Sequence, residues 1–408
     1  MHDVPRGSRL HIALFGRRNA GKSSLINALT GQEIAIVSSI PGTTTDPVYK
    51  SMEILPLGPV VLIDTAGLDD EGELGEKRVE KSMDVLSKTD LVLLVVDGQR
   101  GIGEIERQIA MEAAQKQIPV LGVLNKFDLP TVSEQQTPGW FGIPWIKVST
   151  RTGQGIAELK RRMVELAPKD WSRPEIAGDL VPKGGLALLV APIDSAAPRG
   201  RLILPQVQTI RDLLDHDCLT MVVKENGLKA ALSSLAKPPA LVITDSQAFQ
   251  QVNADTPPEI PLTSFSILFA RYKGDLAALV AGAMVVKRLQ PGDKVLIAEA
   301  CTHHRMADDI GTVKIPRWLR QIVGGELCFE WSSGIELPKA LSQYKLIVHC
   351  GACMINRREM LSRLMTAQAA GVPIVNYGVL IAYLHGILRR ALAPFPDVLA
   401  LLDKNEIT

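Results

Sequence analysis

Residues 16–23 read Gly-Arg-Arg-Asn-Ala-Gly-Lys-Ser, and no other stretch restricts the fold so tightly. The pattern G-x-x-x-x-G-K-S/T works only between a strand and a helix. The loop turns its backbone N–H groups around a phosphate, and the following helix points its N-terminus at the same charge. Both neighbours are in the sequence: His11-Ile12-Ala13-Leu14-Phe15 has the apolar run of a strand, and Ser24-Leu25-Ile26-Asn27-Ala28-Leu29 reads as a helix that Gly31 closes. Gly16, Asn19, Ala20, Gly21 and Ser24 then belong to the phosphate-binding turn, Lys22 reaches the β- and γ-phosphates, and the Ser23 hydroxyl binds Mg2+.

Four more motifs follow in order. Pro41-Gly42-Thr43-Thr44 comes first. Val60–Ile63 is a buried strand ending in Asp64-Thr65-Ala66-Gly67, where Asp64 would hold the Mg2+ shell and the Gly67 N–H could sense the γ-phosphate. Leu91–Val96 is a third strand, and Val120–Leu124 a fourth that ends in Asn125-Lys126-Phe127-Asp128. In that spacing Asp128 can accept both N–H groups of a guanine edge, which adenine does not offer. Ile146–Thr150 reads as a fifth strand, with Ser149 and Thr150 in a loop that can cover the base. Five motifs at strand ends resemble the translation-factor-like small GTPases over roughly residues 9–168, which implies binding of GTP rather than ATP and its hydrolysis to GDP and phosphate.

Leu68 occupies the position where many GTPases carry a water-orienting Gln, so catalysis needs another positive group or another way to place the water. Asn19 stands where potassium-activated GTPases keep a K+-binding Asn. That resemblance implies K+ lined also by Ser38, Ile40 and Thr43, with Thr44 as the switch residue on Mg2+. Asn19 as a simple brace of the loop is the plainer alternative. Catalysis then falls to Lys22, Thr44 and Gly67. His11 reads as structural, and the acidic residues after Gly67 as a solvated switch face.

The chain has 408 residues, 46% of them hydrophobic and 22% charged, with a net charge of +1. That is room for several domains and no electrostatic reason to expect nucleic acid or a membrane surface. Apolar runs such as Leu276–Val286 are too short to span a bilayer. Five cysteines, an odd number, and the lack of a signal-like segment before Gly16 lead to the expectation of a reducing cytoplasm, where clustered cysteines bind metal or do redox chemistry. Pro168–Pro174 reads as a linker. Apolar runs at Leu186–Ala191, Leu202–Leu204, Leu219–Val223 and Ala240–Thr244, with helical segments at Gln208–Leu214 and Leu228–Leu235, make a small α/β unit. A sheet this small leaves an open edge, and pairing two edges across a dyad closes it. A homodimerisation domain over 175–258 is therefore expected, with Cys218 and His216 structural.

Thr256–Pro261 reads as a second linker, after which strands and helices alternate again. Lys294–Ala300 is a strand running directly into Cys301-Thr302-His303-His304. Leu346–Val348 is another, followed by His349-Cys350-Gly351-Ala352-Cys353, and Val372–Asn376 a third. In an open parallel sheet, ligands collect beyond the C-terminal strand ends. Cys301, Cys350 and Cys353 all fall at such ends. They could form a Cys3His zinc site with His303, hold a [4Fe-4S] cluster with one accessible iron, or pair as a redox disulfide, and the residues alone leave these open. Cys328 reads as a core residue of a strand.

The succession of a small GTPase domain, Arg199–Gln208, Cys301-Thr302-His303-His304 and His349-Cys350-Gly351-Ala352-Cys353 resembles the HydF family of [FeFe]-hydrogenase maturation GTPases over essentially the whole chain. The resemblance implies an α/β architecture: a P-loop GTPase domain (1–169), a small dimerisation domain (175–258) and an iron–sulfur cluster domain (262–408). It implies [4Fe-4S] ligation by Cys301, Cys350 and Cys353, with His303, His349 or Asp308 at an exchangeable fourth position. It also implies partners, namely the radical maturation enzymes that build a diiron precursor and the apo-[FeFe]-hydrogenase that receives it. The competing reading is an RNA-modification or ribosome-assembly GTPase with a structural zinc.

Overall fold

The structure is a computed structural model. It describes residues 9–31, 47–54, 58–65, 84–129, 142–168, 175–193, 202–300, 309–334, 337–338, 340–351 and 355–407. The chain divides into two compact units, Met1–Ser172 and Arg173–Thr408.

The first unit is built on a six-stranded sheet in the order β2-β3-β1-β4-β5-β6. Its strands are β1 (Leu10–Phe15), β2 (Val48–Ile54), β3 (Gly58–Asp64), β4 (Leu91–Asp97), β5 (Val120–Asn125) and β6 (Trp145–Lys147). Only β2 runs antiparallel, against β3. The unbroken apolar runs are explained by cover on both faces. Along β1, Ile12 and Leu14 pack with Leu25 and Leu29 of α1 (Lys22–Thr30) and Met163 of α3 (Ile156–Leu166). Ala13 and Phe15 face the other way, onto Ile109 and Ala113 of α2 (Glu104–Gln115). The fifth motif strand is shorter than expected and ends at Lys147. Beyond it the Ser149 Oγ accepts the Thr152 N–H at 3.1 Å and the Ser149 N–H bonds Gln154 O at 3.0 Å, which turns the chain out of the sheet.

The second unit contains two four-stranded, all-parallel sheets. One has the order β10-β9-β7-β8, from β7 (Leu186–Val190), β8 (Leu219–Val223), β9 (Leu241–Thr244) and β10 (Leu262–Ser264). The other has the order β12-β11-β13-β14, from β11 (Lys294–Glu299), β12 (Cys328–Ser333), β13 (Leu346–His349) and β14 (Ile374–Asn376). Helices α4 (Leu204–Asp215), α5 (Leu228–Ser234), α6 (Phe249–Asp255), α7 (Phe265–Lys273), α8 (Leu276–Met284), α9 (Ile315–Val323), α10 (Arg357–Ala369), α11 (Tyr377–Leu384), α12 (Leu388–Ala391) and α13 (Pro396–Ile407) connect and cover them.

Three expectations change. Leu202–Leu204 is not a strand, because Pro205 sits in the first turn of a helix that begins at Leu204. Thr256–Pro261 is not an interdomain linker: it leads into β10, whose Leu262, Thr263 and Ser264 pair with Val242, Ile243 and Thr244 of β9. The break expected between 258 and 262 therefore cuts a sheet, and one hydrophobic core runs from Ile176 to Leu402. Cys328 is exposed rather than buried, since β12 is an edge strand. The expected Pro168–Pro174 linker lies almost wholly outside the described residues. Among the described residues no helix is long and apolar enough to cross a membrane.

Candidate functional site

The phosphate loop leaves β1 at Gly16 and enters α1 at Lys22. Its glycines are dictated by packing: at Gly16 (φ 150°) a Cβ would run into the Val95 carbonyl of β4, and at Gly21 (φ 95°) into the Asn125 amide. Asn125, fully buried, ties the motifs together. Its Nδ2 donates to Ala20 O at 2.9 Å, and its Oδ1 accepts the Thr150 N–H at 3.3 Å. Lys22 is buried, and its ammonium donates to Gly16 O at 2.8 Å and Arg17 O at 3.0 Å, which holds it inside the loop that it serves.

The two expected Mg2+ ligands meet directly, Ser23 Oγ donating to Asp64 Oδ2 at 2.6 Å. Burial pushes the Asp64 carboxyl up from its ordinary value, opposed by the Ser23 hydrogen bond and the Lys22 charge. A hydroxyl and a buried carboxylate at the foot of a phosphate loop suit a hard cation bound through oxygen. At the base-recognition end, Lys126 takes φ 62° and pairs with Asp97 Oδ2 at 2.7 Å, while Lys147 lies 4.7 Å over the Phe127 ring. Asp128 is exposed and Ser149 fully buried. Asn19, exposed at φ 62°, stands at the open side of the loop, and Ser24 is half-buried in α1. Ser38, Ile40, Thr43, Thr44, Gly67 and Leu68 lie outside the described residues.

One pair here was not legible in the motifs. Arg17 Nε donates to Glu106 Oε1 at 2.9 Å, and the same guanidinium bonds Gly101 O. Glu106 is almost fully buried, and its second oxygen accepts the Gly103 N–H at 2.8 Å. A Glu three residues into a helix reads in sequence as an ordinary cap, and only the fold reveals that it grips the phosphate loop.

The second cluster of polar side chains lies in the other unit, where β11 and β13 end side by side with Ala298 level with His349. Half-buried Cys350 donates its N–H to Ala298 O at 3.0 Å, and its Sγ accepts the Ala300 N–H at 3.2 Å. Cys350 is thereby bonded to the backbone of Ala298 and of Ala300, the last described residue before 309. Cys301, His303, Asp308 and Cys353 lie outside the described residues. Among the described residues no group of three His, Cys, Asp or Glu side chains forms a metal site.

His349 departs from its expected role. It is 0% exposed, its Nδ1–H donates to Cys350 O at 2.7 Å, and its Nε2 accepts from Arg363 at 2.6 Å. Burial, reinforced by the Arg363 charge, pushes its pKa down to about 4. The imidazole is neutral with both nitrogens committed to protein groups, so it is a wall of the site rather than an open ligand. Sequence reading also missed Glu299, the buried last residue of β11, two positions before Cys301. Tyr377 Oη donates to its Oε1 at 3.3 Å, and burial together with the Glu299 charge holds the phenol protonated. A side chain at Gly311 would collide with both groups, which explains the glycine in the π-helical turn Ile310–Lys314. Buried Lys273 donates to Ile355 O at 2.9 Å, two positions after Cys353 in the sequence.

Among the described residues this end of the sheet thus carries one thiol, Cys350, whose sulfur accepts an amide N–H, and one buried carboxylate, Glu299.

Comparison with known proteins gives three family matches along the chain. Residues 11–126 match a 50S ribosome-binding GTPase, residues 176–274 the hydrogen maturase F dimerization domain, and residues 277–394 the hydrogen maturase F tetramerization domain. Curated relatives include the tRNA modification GTPase MnmE of Nitrosomonas europaea, 39% identical over 174 residues, and that of Geobacter sulfurreducens, 40% identical over 156. These alignments cover 42% and 38% of this chain and 37% and 33% of the relatives, so the chain spans about a third of their length. Among solved structures, the G domain of the T. maritima FeoB iron transporter is 28% identical, with a TM-score of 0.31, covering 39% of this chain and 99% of that one. Aquifex aeolicus Era is 18% identical, with a TM-score of 0.34, covering 81% and 94%.

Proposed function

Because the chain belongs to the hydrogen maturase F family of GTPases, we propose that it is a scaffold that carries a [4Fe-4S] cluster and delivers a diiron precursor to apo-[FeFe]-hydrogenase, receiving it from the radical maturation enzymes. The observation that supports the reading is the Ala300 N–H on Cys350 Sγ at 3.2 Å, an amide donor on a cysteine sulfur at the end of a parallel strand. Cys301, Cys350 and Cys353 would hold the cluster. A cluster on three thiolates leaves one iron with an exchangeable position. His303, Asp308 and the buried Glu299 are the groups of this chain that could fill it, in place of His349.

Around that site the protein's own atoms do the positioning. The Ala300 N–H bonds Cys350 Sγ, the Cys350 N–H bonds Ala298 O, Lys273 bonds Ile355 O, and both ring nitrogens of His349 are engaged by protein groups. At the nucleotide site, GTP binds with Mg2+ on Ser23 and Asp64, Lys22 neutralises the phosphates, and Asp128 selects guanine. Thr44 and Gly67 sense the γ-phosphate, and K+ on Asn19 supplies the positive charge that Leu68 cannot. The nucleotide state biases contacts with partners rather than the metal chemistry itself.

Cluster loading is tested by anaerobic iron–sulfide reconstitution and EPR. Wild type and Cys328→Ser should give a [4Fe-4S] signal, and Cys301→Ser and Cys350→Ser should lose it. A colourless protein with one zinc per chain would sink the scaffold reading in favour of an RNA-directed GTPase. Exchanging K+ for Na+ should slow hydrolysis at least several-fold, and equal rates in the two salts remove the ion from Asn19.

A further inference from the structure

The turn that leaves β4, Asp97 to Gly103, carries no nucleotide-binding motif, yet both ends of the nucleotide site bond to it. Asp97 is 9% exposed. Its Oδ2 accepts Lys126 Nζ at 2.7 Å, and its Oδ1 accepts the Gln99 N–H at 2.9 Å. Its carbonyl accepts the Arg100 and Gly101 N–H groups at 3.0 Å each, and the Gly98 N–H donates to Asn125 O at 2.9 Å. The start of the turn is thus tied to two residues of the Asn-Lys-Phe-Asp motif. Its far end is tied to the phosphate loop. Arg17 bonds Gly101 O and Glu106 Oε1, and the second Glu106 oxygen accepts the Gly103 N–H. A Cβ at Gly103 would stand 3.2 Å from Arg17 Cζ, so the glycine leaves room for the guanidinium.

Lys126 is the sensitive joint. It adopts φ 62°, in the left-handed region that is unfavourable for a residue with a side chain and persists where the surroundings hold it. The Leu129 N–H donates to Lys126 O at 3.1 Å, so Asp128 sits in a turn whose first residue is Lys126. The ammonium of that residue is fixed on Asp97. Loss of the Asp97 carboxylate releases the side chain at the head of this turn, and the direction of the Asp128 carboxylate changes with it.

We propose that Asp97 is a positioning residue for guanine recognition, acting through Lys126 on Asp128, and that the turn it begins couples the base end of the site to the Arg17–Glu106 clamp on the phosphate loop. This rests on the assignment of Asp128 to the guanine edge.

The test compares kcat/KM for GTP and inosine triphosphate (ITP) in the full-length protein with Mg2+ and K+ present. Hypoxanthine lacks the exocyclic amino group of guanine and offers Asp128 one N–H instead of two, so wild type should favour GTP about tenfold or more. Asp97→Ser keeps a hydroxyl for the Gln99 N–H but is too short to reach Lys126. It should lower the GTP preference several-fold, and Asp97→Asn, with one acceptor oxygen for two donors, should fall between. Met163→Ala, in the core of the same unit, is the structural control and should lower the unfolding temperature without moving the preference. Asp97→Ser combined with Glu106→Ala should lose less kcat/KM for GTP than the product of the two single losses. A folded Asp97→Ser protein at the wild-type preference overturns the inference and leaves Asp128 standing, and losses that simply multiply overturn the coupling. A wild-type chain that does not distinguish GTP from ITP overturns the Asp128 assignment and the inference with it. If Asp97→Ser does not fold, Asp97→Asn decides: a reduced preference supports the role, and the wild-type preference overturns it.

Discussion

Glu106 and Arg17 join two parts of the GTPase unit that sequence motifs treat as separate. The carboxylate spans from the phosphate loop to the start of α2, and hydrogen bonds to charged groups contribute about 1.5–3 kcal/mol each. Neither residue is among those expected to touch the phosphates through a side chain. Glu106→Ala is therefore expected to raise the KM for GTP about tenfold or more while changing kcat little, measured by steady-state hydrolysis; an equal fall in both kcat and kcat/KM would move Glu106 into the chemistry. The contrast with Asn125, Lys126 and Asp128 is instructive. Those residues were legible because a fixed chemical partner imposes their spacing. Arg17–Glu106 and Arg363–His349 are separated by 89 and 14 residues, and no local spacing records a pair that only the fold brings together. His349 was misread for the same reason: its neighbours in sequence are cysteines, but its ring faces an arginine.

At the scale of elements, the periodic apolar runs predicted most strands because a parallel strand covered on both faces can be little else. Edge strands escaped that rule. Cys328 on β12 is exposed despite its apolar neighbours, and β8 exposes Leu219 and Val222. The β8 edge belongs to the segment matched by the dimerization domain, and pairing it with a second copy would bury these side chains at about 1.5–3 kcal/mol each. Leu219→Lys with Val222→Lys is expected to lower the association state at micromolar concentration in analytical ultracentrifugation. An association state unchanged by the two lysines would take β8 out of any contact between copies. Strand ends proved harder to predict than strands, as the early exit of β6 at Lys147 illustrates, since a single Ser-Thr turn overrides the apolar pattern.

In the whole molecule, the largest departure from the sequence reading is the second unit, where proline-rich Thr256–Pro261 imitates a linker and is instead the lead-in to β10. The family boundary between residues 274 and 277 falls between α7 and α8, and even there the core is shared. Proline content marks where hydrogen bonding is interrupted, whereas a domain is marked by where apolar contacts stop, and here the two do not coincide. A fragment of residues 175–258 should accordingly show no cooperative thermal transition by circular dichroism, while residues 173–408 should melt in one step; a cooperative melt of the short fragment would give the first sheet a core of its own. The shared core also bears on the fate of damaged copies. Marginal stability is spread over the whole unit, so a lesion at the ends of β11 and β13 also loosens the first sheet, whose edge is β8. A damaged copy would then open to proteases as a whole unit, rather than persist with one sheet folded and the other lost.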